Sequence, residues 1–278
     1  MKFFLDSADI NEIKKTLDYG VLDGVTTNPS LIREAFEKEK SKGKNINFDS
    51  YIGDILKLCK GKPVSLEVIS RDYKNMVREG ETLYKKFNKI AKNVFVKVPV
   101  NPCLDLKCSS NMDGIKVIKK LSDKKIPVNC TLIFTPEQAL LAAKAGARFV
   151  SPFVGRIDDY LRETAHMKFE KRDYFPEEGW KNGKKTLEDN GIVSGVMLIK
   201  EISEIFKKQK VQSEILAASI RNTRQIREVA LAGADIATIP FNVFDKIASH
   251  LKTAEGMKKF TKDIVPEYAR MLGTKIEK

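Results

Sequence analysis

Asn93-Val-Phe-Val-Lys-Val-Pro99 reads as a short strand, with Val94, Val96 and Val98 on one face and Phe95 and Lys97 on the other. Apart from Lys97 both faces are apolar, the pattern of a strand buried on both sides in a parallel sheet. A lysine in that setting is costly, because desolvation disfavours an ammonium ion. The neutral amine that burial favours is a nucleophile able to form a Schiff base with a carbonyl compound. The competing reading sets Lys97 at the strand end, its head snorkelling to water or guarding a sheet edge.

Outward from this stretch, strand-like and helix-like segments alternate to both ends. Phe3-Phe-Leu5 precedes a helix with Ile10, Ile13 and Leu17 at helical spacing and Ser7 as N-cap. Gly24-Val-Thr-Thr27 leads into Asn28-Pro29, a cap followed by a proline at the first helical position. Val64-Ser-Leu-Glu-Val-Ile69 is a third strand, and a helical run from about Asn75 to Ala91 separates it from the Lys97 strand. A loop spans Asn101 to Asn111, and a helix follows through Ile115, Ile118 and Leu121. Pro127-Val-Asn-Cys-Thr-Leu132 is the fifth strand, and Thr135-Pro-Glu-Gln138 has the form of a capping box. Ala145-Gly-Ala147 then leads to Phe149-Val-Ser-Pro-Phe153, and Leu231-Ala-Gly-Ala234 leads to Ile236-Ala-Thr-Ile-Pro240. These are two copies of one helix–strand phrase, with glycine just past each helix. Ser213-Glu-Ile-Leu-Ala-Ala-Ser219 completes eight strands.

Eight alternating units in 278 residues predict an α/β fold, a single-domain (β/α)8 TIM barrel over residues 1–278 with a C-terminal helix at 253–278. A doubly wound open sheet is disfavoured, because no Gly-x-Gly-x-x-Gly turn follows the first strand. The charged segment from Asp158 to Gly191, which holds the single tryptophan, Trp180, reads as an insertion, lid or extra helix. No apolar run has the length of a membrane span, and the N-terminal run is too short for a signal peptide. Cys59, Cys103, Cys108 and Cys130 show no Cys-x-x-Cys spacing and lie far from His166 and His250. They read as four reduced thiols of a cytoplasmic protein without a structural metal site. The net charge of +13 is spread over helix faces with interleaved acids. Basic clusters with aromatics between them are missing, so nucleic acid is not the expected partner, whereas anionic small substrates suit the charge.

Polar residues recur late in strand after strand: Asp6, Thr26 and Asn28, Glu67, Lys97, Asn129 and Thr131, Ser151, and Ser219. In a barrel these positions form the C-terminal rim, where active sites are built. Each has an ordinary alternative. Asn28 can be an N-cap, Asp6 can cap the first helix, and buried hydroxyls can bond to backbone. Glu67 resists dismissal, because a carboxylate inside Ser65-Leu-Glu-Val-Ile69 needs a partner. Glu67 and Lys97 on one rim account for each other, as a structural ion pair or, with Asp6, as a lysine nucleophile and its acid–base helpers. Arg221 opens a helix whose macrodipole opposes it, a placement suited to a bound anion. Ser219, the helix N–H groups and Arg156 would complete a phosphate site.

The sequence resembles the transaldolases, including the smaller group related to fructose 6-phosphate aldolase. The resemblance rests on Leu5-Asp-Ser-Ala-Asp9, Val25-Thr-Thr-Asn-Pro-Ser30, Phe95-Val-Lys-Val-Pro99, Asn129-Cys-Thr-Leu-Ile-Phe134, Ser151-Pro-Phe-Val-Gly-Arg-Ile157 and Ala217-Ala-Ser-Ile-Arg-Asn222. It implies a (β/α)8 barrel with the Schiff-base lysine, Lys97, on the fourth strand. It also implies Asp6 as the base at the C4 hydroxyl, and Glu67 with Thr131 holding the proton-shuttling water. Asn28, Asn129 and Ser151 would bind the dihydroxyacetone hydroxyls, and Arg156, Ser219 and Arg221 the phosphate. The aldolase branch resembles Gln at the position of Glu67 and Tyr at that of Phe153, so this chain carries the transaldolase choice at both. Sugar phosphates are the implied substrates and a homo-oligomer the expected assembly, with no metal or organic cofactor. The alternatives are fructose 6-phosphate aldolase-type cleavage and a non-catalytic phosphosugar- or RNA-binding barrel. Departures from the family pattern are Ile220, where many relatives have an aromatic residue, and the Asp158–Gly191 and Asn101–Asn111 segments.

Overall fold

The computed structural model describes residues 1–43, 46–105, 107–183 and 185–274. Eight parallel strands close into a barrel: β1 (Lys2–Asp6), β2 (Gly24–Thr26), β3 (Val64–Glu67), β4 (Val94–Pro99), β5 (Val128–Ile133), β6 (Phe149–Pro152), β9 (Glu214–Ala217) and β10 (Ile236–Pro240). Each pairs with its neighbours in sequence order, and β1 closes the ring against β10. The helices between them are α1 (Ile10–Asp18), α2 (Pro29–Ser41), α3 (Phe48–Leu58), α4 (Tyr73–Ala91), α5 (Asp113–Asp123), α6 (Pro136–Lys144), α7 (Val154–Thr164), α8 (Gly195–Gln209) and α9 (Thr223–Ala232). A small hairpin, β7 (Lys181–Asn182) with β8 (Lys185–Thr186), stands between α7 and α8.

The eight strands and their parallel pairing agree with the sequence reading, and so does the repeated phrase. Gly146 and Gly233 adopt φ of +101° and +98°, the left-handed values that end a helix without Cβ strain. The first helix differs: its N-cap is Asp9, whose carboxylate accepts from the N–H groups of Asn11 and Glu12. Ser7 instead accepts from the N–H of Asp9, one step outside the helix. Between β2 and β3 there are two helices, α2 and α3, the second capped by Asn47.

Three further expectations need correction. The Asp158–Gly191 segment does not begin a loop: α7 runs to Thr164, and Asp158, Asp159 and Arg162 are buried. Their polar atoms find partners inside the fold, so the first turns of this segment belong to a barrel helix and not to an insertion. The four cysteines are not all thiols, since Cys103 and Cys108 form a disulfide across the Asn101–Asn111 loop. A separation of 5 residues within a loop brings the two sulfurs together without any Cys-x-x-Cys spacing. Cys59 and Cys130 are free and buried. The C-terminal stretch is two helices, α11 (Leu251–Lys262) and α12 (Pro266–Met271), following the short α10 (Phe241–Phe244). Pro266 lacks the N–H that would continue α11 and sits at the start of α12 instead. By internal contacts the chain divides into Met1–Phe244, which contains the barrel, and Asp245–Lys278.

Inside the barrel, the inward faces form two layers. Phe4, Phe149, Leu216 and Ile236 pack as an apolar plug with Phe95 against it, Phe95 stacking on Phe149 at 4.6 Å between ring centroids. Two residues further along four of these strands the inward positions are polar, Asp6 after Phe4, Lys97 after Phe95, Ser151 after Phe149 and Thr238 after Ile236, while Ala218 after Leu216 stays apolar. The two-residue period of a strand thus sets a polar floor directly upon a dry base.

Candidate active site

The polar floor opens into a cavity of about 190 Å³ at the C-terminal ends of the strands. Lys97 lies at its centre of charge, 6 % exposed, with Nζ donating to the carbonyl of Thr27 at 3.1 Å. Register places Glu67 of β3 beside Lys97 and Lys97 beside Asn129 of β5, so all three point the same way. Glu67 Oε2 stands 3.2 Å from Lys97 Nζ. The half-buried glutamate and the buried lysine therefore do explain each other, as two charges that satisfy one another largely away from water. Glu67 does not line this cavity itself; its other side faces a larger apolar cleft with Leu66, Val68 and Phe87.

On the opposite wall, Asp6 Oδ1 accepts from the hydroxyl of Thr26 at 2.7 Å. That bond uses the single hydroxyl proton of Thr26, so with Asp6 ionised the contact between Thr26 and Thr238 has Thr238 as donor. Burial holds the Asp6 carboxyl above the ordinary carboxylate value, while Lys97, the Thr26 hydroxyl and Arg156 pull it back. Asp6 is a strand-end residue here and caps no helix.

Asn129 bridges two strands, donating to Ser65 Oγ at 3.1 Å and accepting from Ser151 Oγ at 2.6 Å. Thr131 is buried, and its hydroxyl has no hydrogen-bond partner among the described residues. Its placement comes from an irregularity in β5, where pairing with β6 shifts register between Cys130 and Ile133 and Leu132 takes φ of +59°. A non-glycine residue in that region costs roughly 1–3 kcal/mol, a strain typical of functional sites. Asn28 lines the cavity yet is also the N-cap of α2, its Oδ1 accepting from Leu31 N–H at 3.0 Å. Asn28 thus caps α2 and faces the cavity at once.

The far end of the cavity is cationic. Arg156, Ser219, Arg221 and Phe153 line it, with the Arg156 guanidinium 5.1 Å from the Phe153 ring centroid. Arg221 Nη2 donates to Asp159 Oδ2 at 2.8 Å, while its buried Nε has no partner. Ser219 sits at φ of +61°, and its carbonyl accepts from the N–H of Gly155 at 3.1 Å, which stitches the start of α7 to this loop. Ile220 is buried and lines the same cavity. Thus every predicted site residue except Glu67 lines one cavity, and Glu67 touches its lysine from behind. Two polar lining residues were missed. Thr238 obeys the late-in-strand rule and was legible; Lys171, from the segment between α7 and α8, carried no local signal.

The family model described as Transaldolase/Fructose-6-phosphate aldolase matches residues 3–276. The chain belongs to this family. A probable transaldolase of Aquifex aeolicus (strain VF5) is 40% identical over 263 residues, 95% of this chain and 96% of that protein. A probable transaldolase of Thermoplasma acidophilum is 40% identical over 263 residues, 95% of each chain. One from Nitrosopumilus maritimus (strain SCM1) is 40% identical over 264 residues, 95% of this chain and 94% of the relative. Membership makes the barrel an enzyme of the transaldolase and fructose-6-phosphate aldolase class, with sugar phosphates as the substrates the family implies. Among the described residues no helix is long and apolar enough to cross a membrane.

Proposed function

We propose that this protein is a transaldolase, moving a dihydroxyacetone unit from sedoheptulose 7-phosphate to glyceraldehyde 3-phosphate to give erythrose 4-phosphate and fructose 6-phosphate. The observation that carries the reading is the buried Lys97 Nζ, 3.2 Å from Glu67, in one cavity with Asp6 and a cationic end. Lys97 attacks the C2 carbonyl, and loss of water from the carbinolamine gives the iminium. Asp6 takes the C4 hydroxyl proton as the C3–C4 bond breaks, and the bonding electrons pass into the iminium to leave an enamine. The enamine adds to the acceptor aldehyde, Asp6 returns the proton, and hydrolysis frees Lys97. Glu67 and the Thr131 hydroxyl, which has no protein partner, hold the water of the dehydration and hydrolysis steps. Asn28 through its amide nitrogen, Asn129 and Ser151 bind the dihydroxyacetone hydroxyls. Arg156, Ser219 and Arg221 bind the phosphate, with Phe153 walling the cavity beside them. The chemistry needs no metal or organic cofactor. The reaction belongs to the non-oxidative pentose phosphate pathway, in the cytoplasm. A homo-oligomer fits the exposed Leu251, Met257 and Phe260 on α11, a helix that buries none of its residues.

Borohydride reduction in the presence of fructose 6-phosphate, followed by peptide mass mapping, is the test. A reduced adduct on Lys97 is expected, and its absence overturns the Schiff-base reading. With erythrose 4-phosphate added, formation of sedoheptulose 7-phosphate marks transfer; cleavage without transfer would assign the aldolase reaction instead.

A further inference from the structure

The segment between α7 and α8 brings a residue of its own into the cavity. Lys171 lines the cationic end together with Arg156, Ser219 and Arg221. Its position is fixed by contacts on both sides. Arg162, 3 % exposed on α7, donates through Nη2 to the carbonyls of Asp173 and Tyr174, both at 2.9 Å. The same guanidinium lies 4.9 Å from the ring centroids of both Phe169 and Phe175, which bracket Lys171 in sequence. Asn222, the N-cap of α9, donates to the carbonyl of Arg172 at 3.4 Å, and Arg224 donates to the Tyr174 hydroxyl at 2.7 Å. Arg162 also faces Asp159 at 3.7 Å, the carboxylate that holds Arg221. One buried acid–base cluster therefore sets both Arg221 and the strap that carries Lys171.

Arg221 spends part of its charge on Asp159. Among the described residues no carboxylate is ion-paired with Arg156 or Lys171, so these two cations line the cavity without a salt-bridge partner, Arg156 acting on Asp6 only at longer range. We infer that Lys171 is a third cation of the phosphate end, delivered by the 169–175 strap, and that it sets the preference of this enzyme for phosphorylated over unphosphorylated sugars. The inference rests on the phosphate assignment made above and adds to it a residue from outside the repeating barrel units. Lysine suits the role as a mobile point charge that can follow the phosphate of sugars of different length, whereas Arg221 is held by its forked contact with Asp159.

The test compares Lys171→Ala with Lys168→Ala, which removes the same charge three residues away, outside the cavity lining. For Lys171→Ala, kcat/KM for fructose 6-phosphate should fall about tenfold more than kcat/KM for fructose, the loss of one partly exposed charge-assisted contact. The dissociation constant for inorganic phosphate, measured by calorimetry on the full chain, should rise about tenfold as well. Lys171→Arg should restore most of both, and Lys168→Ala should change either by less than about twofold. Equal losses for the two sugars, equal effects of the two alanine variants, or wild-type phosphate affinity in Lys171→Ala would each overturn the inference. If wild type forms no borohydride adduct while Lys171→Ala still loses phosphate affinity, the Schiff-base reading fails and the anion contact stands. If the adduct forms and Lys171→Ala binds phosphate normally, only the present inference fails.

Discussion

Gly155 offers a direct way to perturb the cationic end, proposed above to hold phosphate, without removing any charge. A Cβ built at this position would lie 2.4 Å from the Ser219 carbonyl oxygen and 2.6 Å from Arg221 Nε. Ordinary carbon contacts begin near 3.4 Å, so the gap must open by about 1 Å. The obstacle cannot swing away, since it is the Ser219 backbone, already tied to α7 through Gly155 N–H at 3.1 Å and, one residue earlier, Val154 N–H to Ala218 at 2.9 Å. Gly155→Ala should therefore destabilise the fold by about 1–3 kcal/mol, the usual cost of overpacking. At this chain length that corresponds to a Tm lower by roughly 2–10 °C. The functional loss should exceed the structural one. A displacement of about 1 Å in groups that position substrate can cost on the order of 10²-fold in rate. The expected result is a loss near that size in kcat/KM for fructose 6-phosphate, with a much smaller loss for fructose. Gly146→Ala is the control, because its Cβ meets the Ser122 side chain, far from this loop, at a position strained by φ of +101°. It should lower Tm while leaving the ratio between the two sugars alone. A Gly155→Ala variant with wild-type Tm and wild-type preference would refute the claim that α7 and the Ser219 loop are packed to contact here.

Two further outcomes are expected. Asp158, 2 % exposed, accepts from Gly195 N–H at 2.7 Å and from Gln225 at 3.0 Å, and burial pushes its carboxyl up to about 7 against those donors and Arg162. The folded chain thus holds this proton more tightly than the unfolded one, so its contribution to stability is present below about pH 4 and lost as pH rises toward 7. Relative to wild type, Asp158→Asn should gain on the order of 4 kcal/mol between those limits; urea midpoints at pH 4.5 and 7.5 check it, and a flat difference would count against the burial argument. Glu67→Gln keeps the shape beside Lys97 but removes the carboxylate proposed to handle the shuttled water. Transfer should fall roughly 10²-fold, more than aldol cleavage does, and an unchanged ratio of the two rates would dismiss the role given to Glu67.

Most of the barrel was legible because its strands are short apolar runs whose polar exceptions fall at one end. Lys97, Asn129 and Ser151 were found by that rule, and register between neighbouring strands then brought them together without further information. The first cap was misplaced because Ser7 and Asp9 are both good capping types, and only the local backbone decides between them. The Cys103–Cys108 bond joins residues in a loop without periodicity, where sequence spacing carries little structural meaning. Arg162 and Asp159 were read into a charged insertion, lid or extra helix. Their partners lie on other elements, and a pattern along one helix cannot show a neutralising residue on another. Lys171 was invisible for the same reason, being one lysine among several in an irregular strap.

The arrangement around Lys97 has a physical logic that neither partner shows alone. A single buried ammonium would be unstable, and a buried carboxylate beside it resolves that problem while remaining in reach of any water at the amine. A second carboxylate next to the same pair would compete for the lysine, so the base proposed to work on the sugar has to stand elsewhere. Asp6 does: it comes from β1, across the barrel from β4, and its fixed partner is a hydroxyl, not a cation. Burial then raises its basicity, while Lys97 and Arg156 limit that rise and keep an ionised form within reach. Two acids held apart by β2, Glu67 on β3 and Asp6 on β1, can thus serve different steps on one bound molecule, the first where the amine meets the carbonyl and the second where the carbon–carbon bond breaks. The closed sheet is what holds them apart, because neither strand can move toward the other without breaking the ring between them.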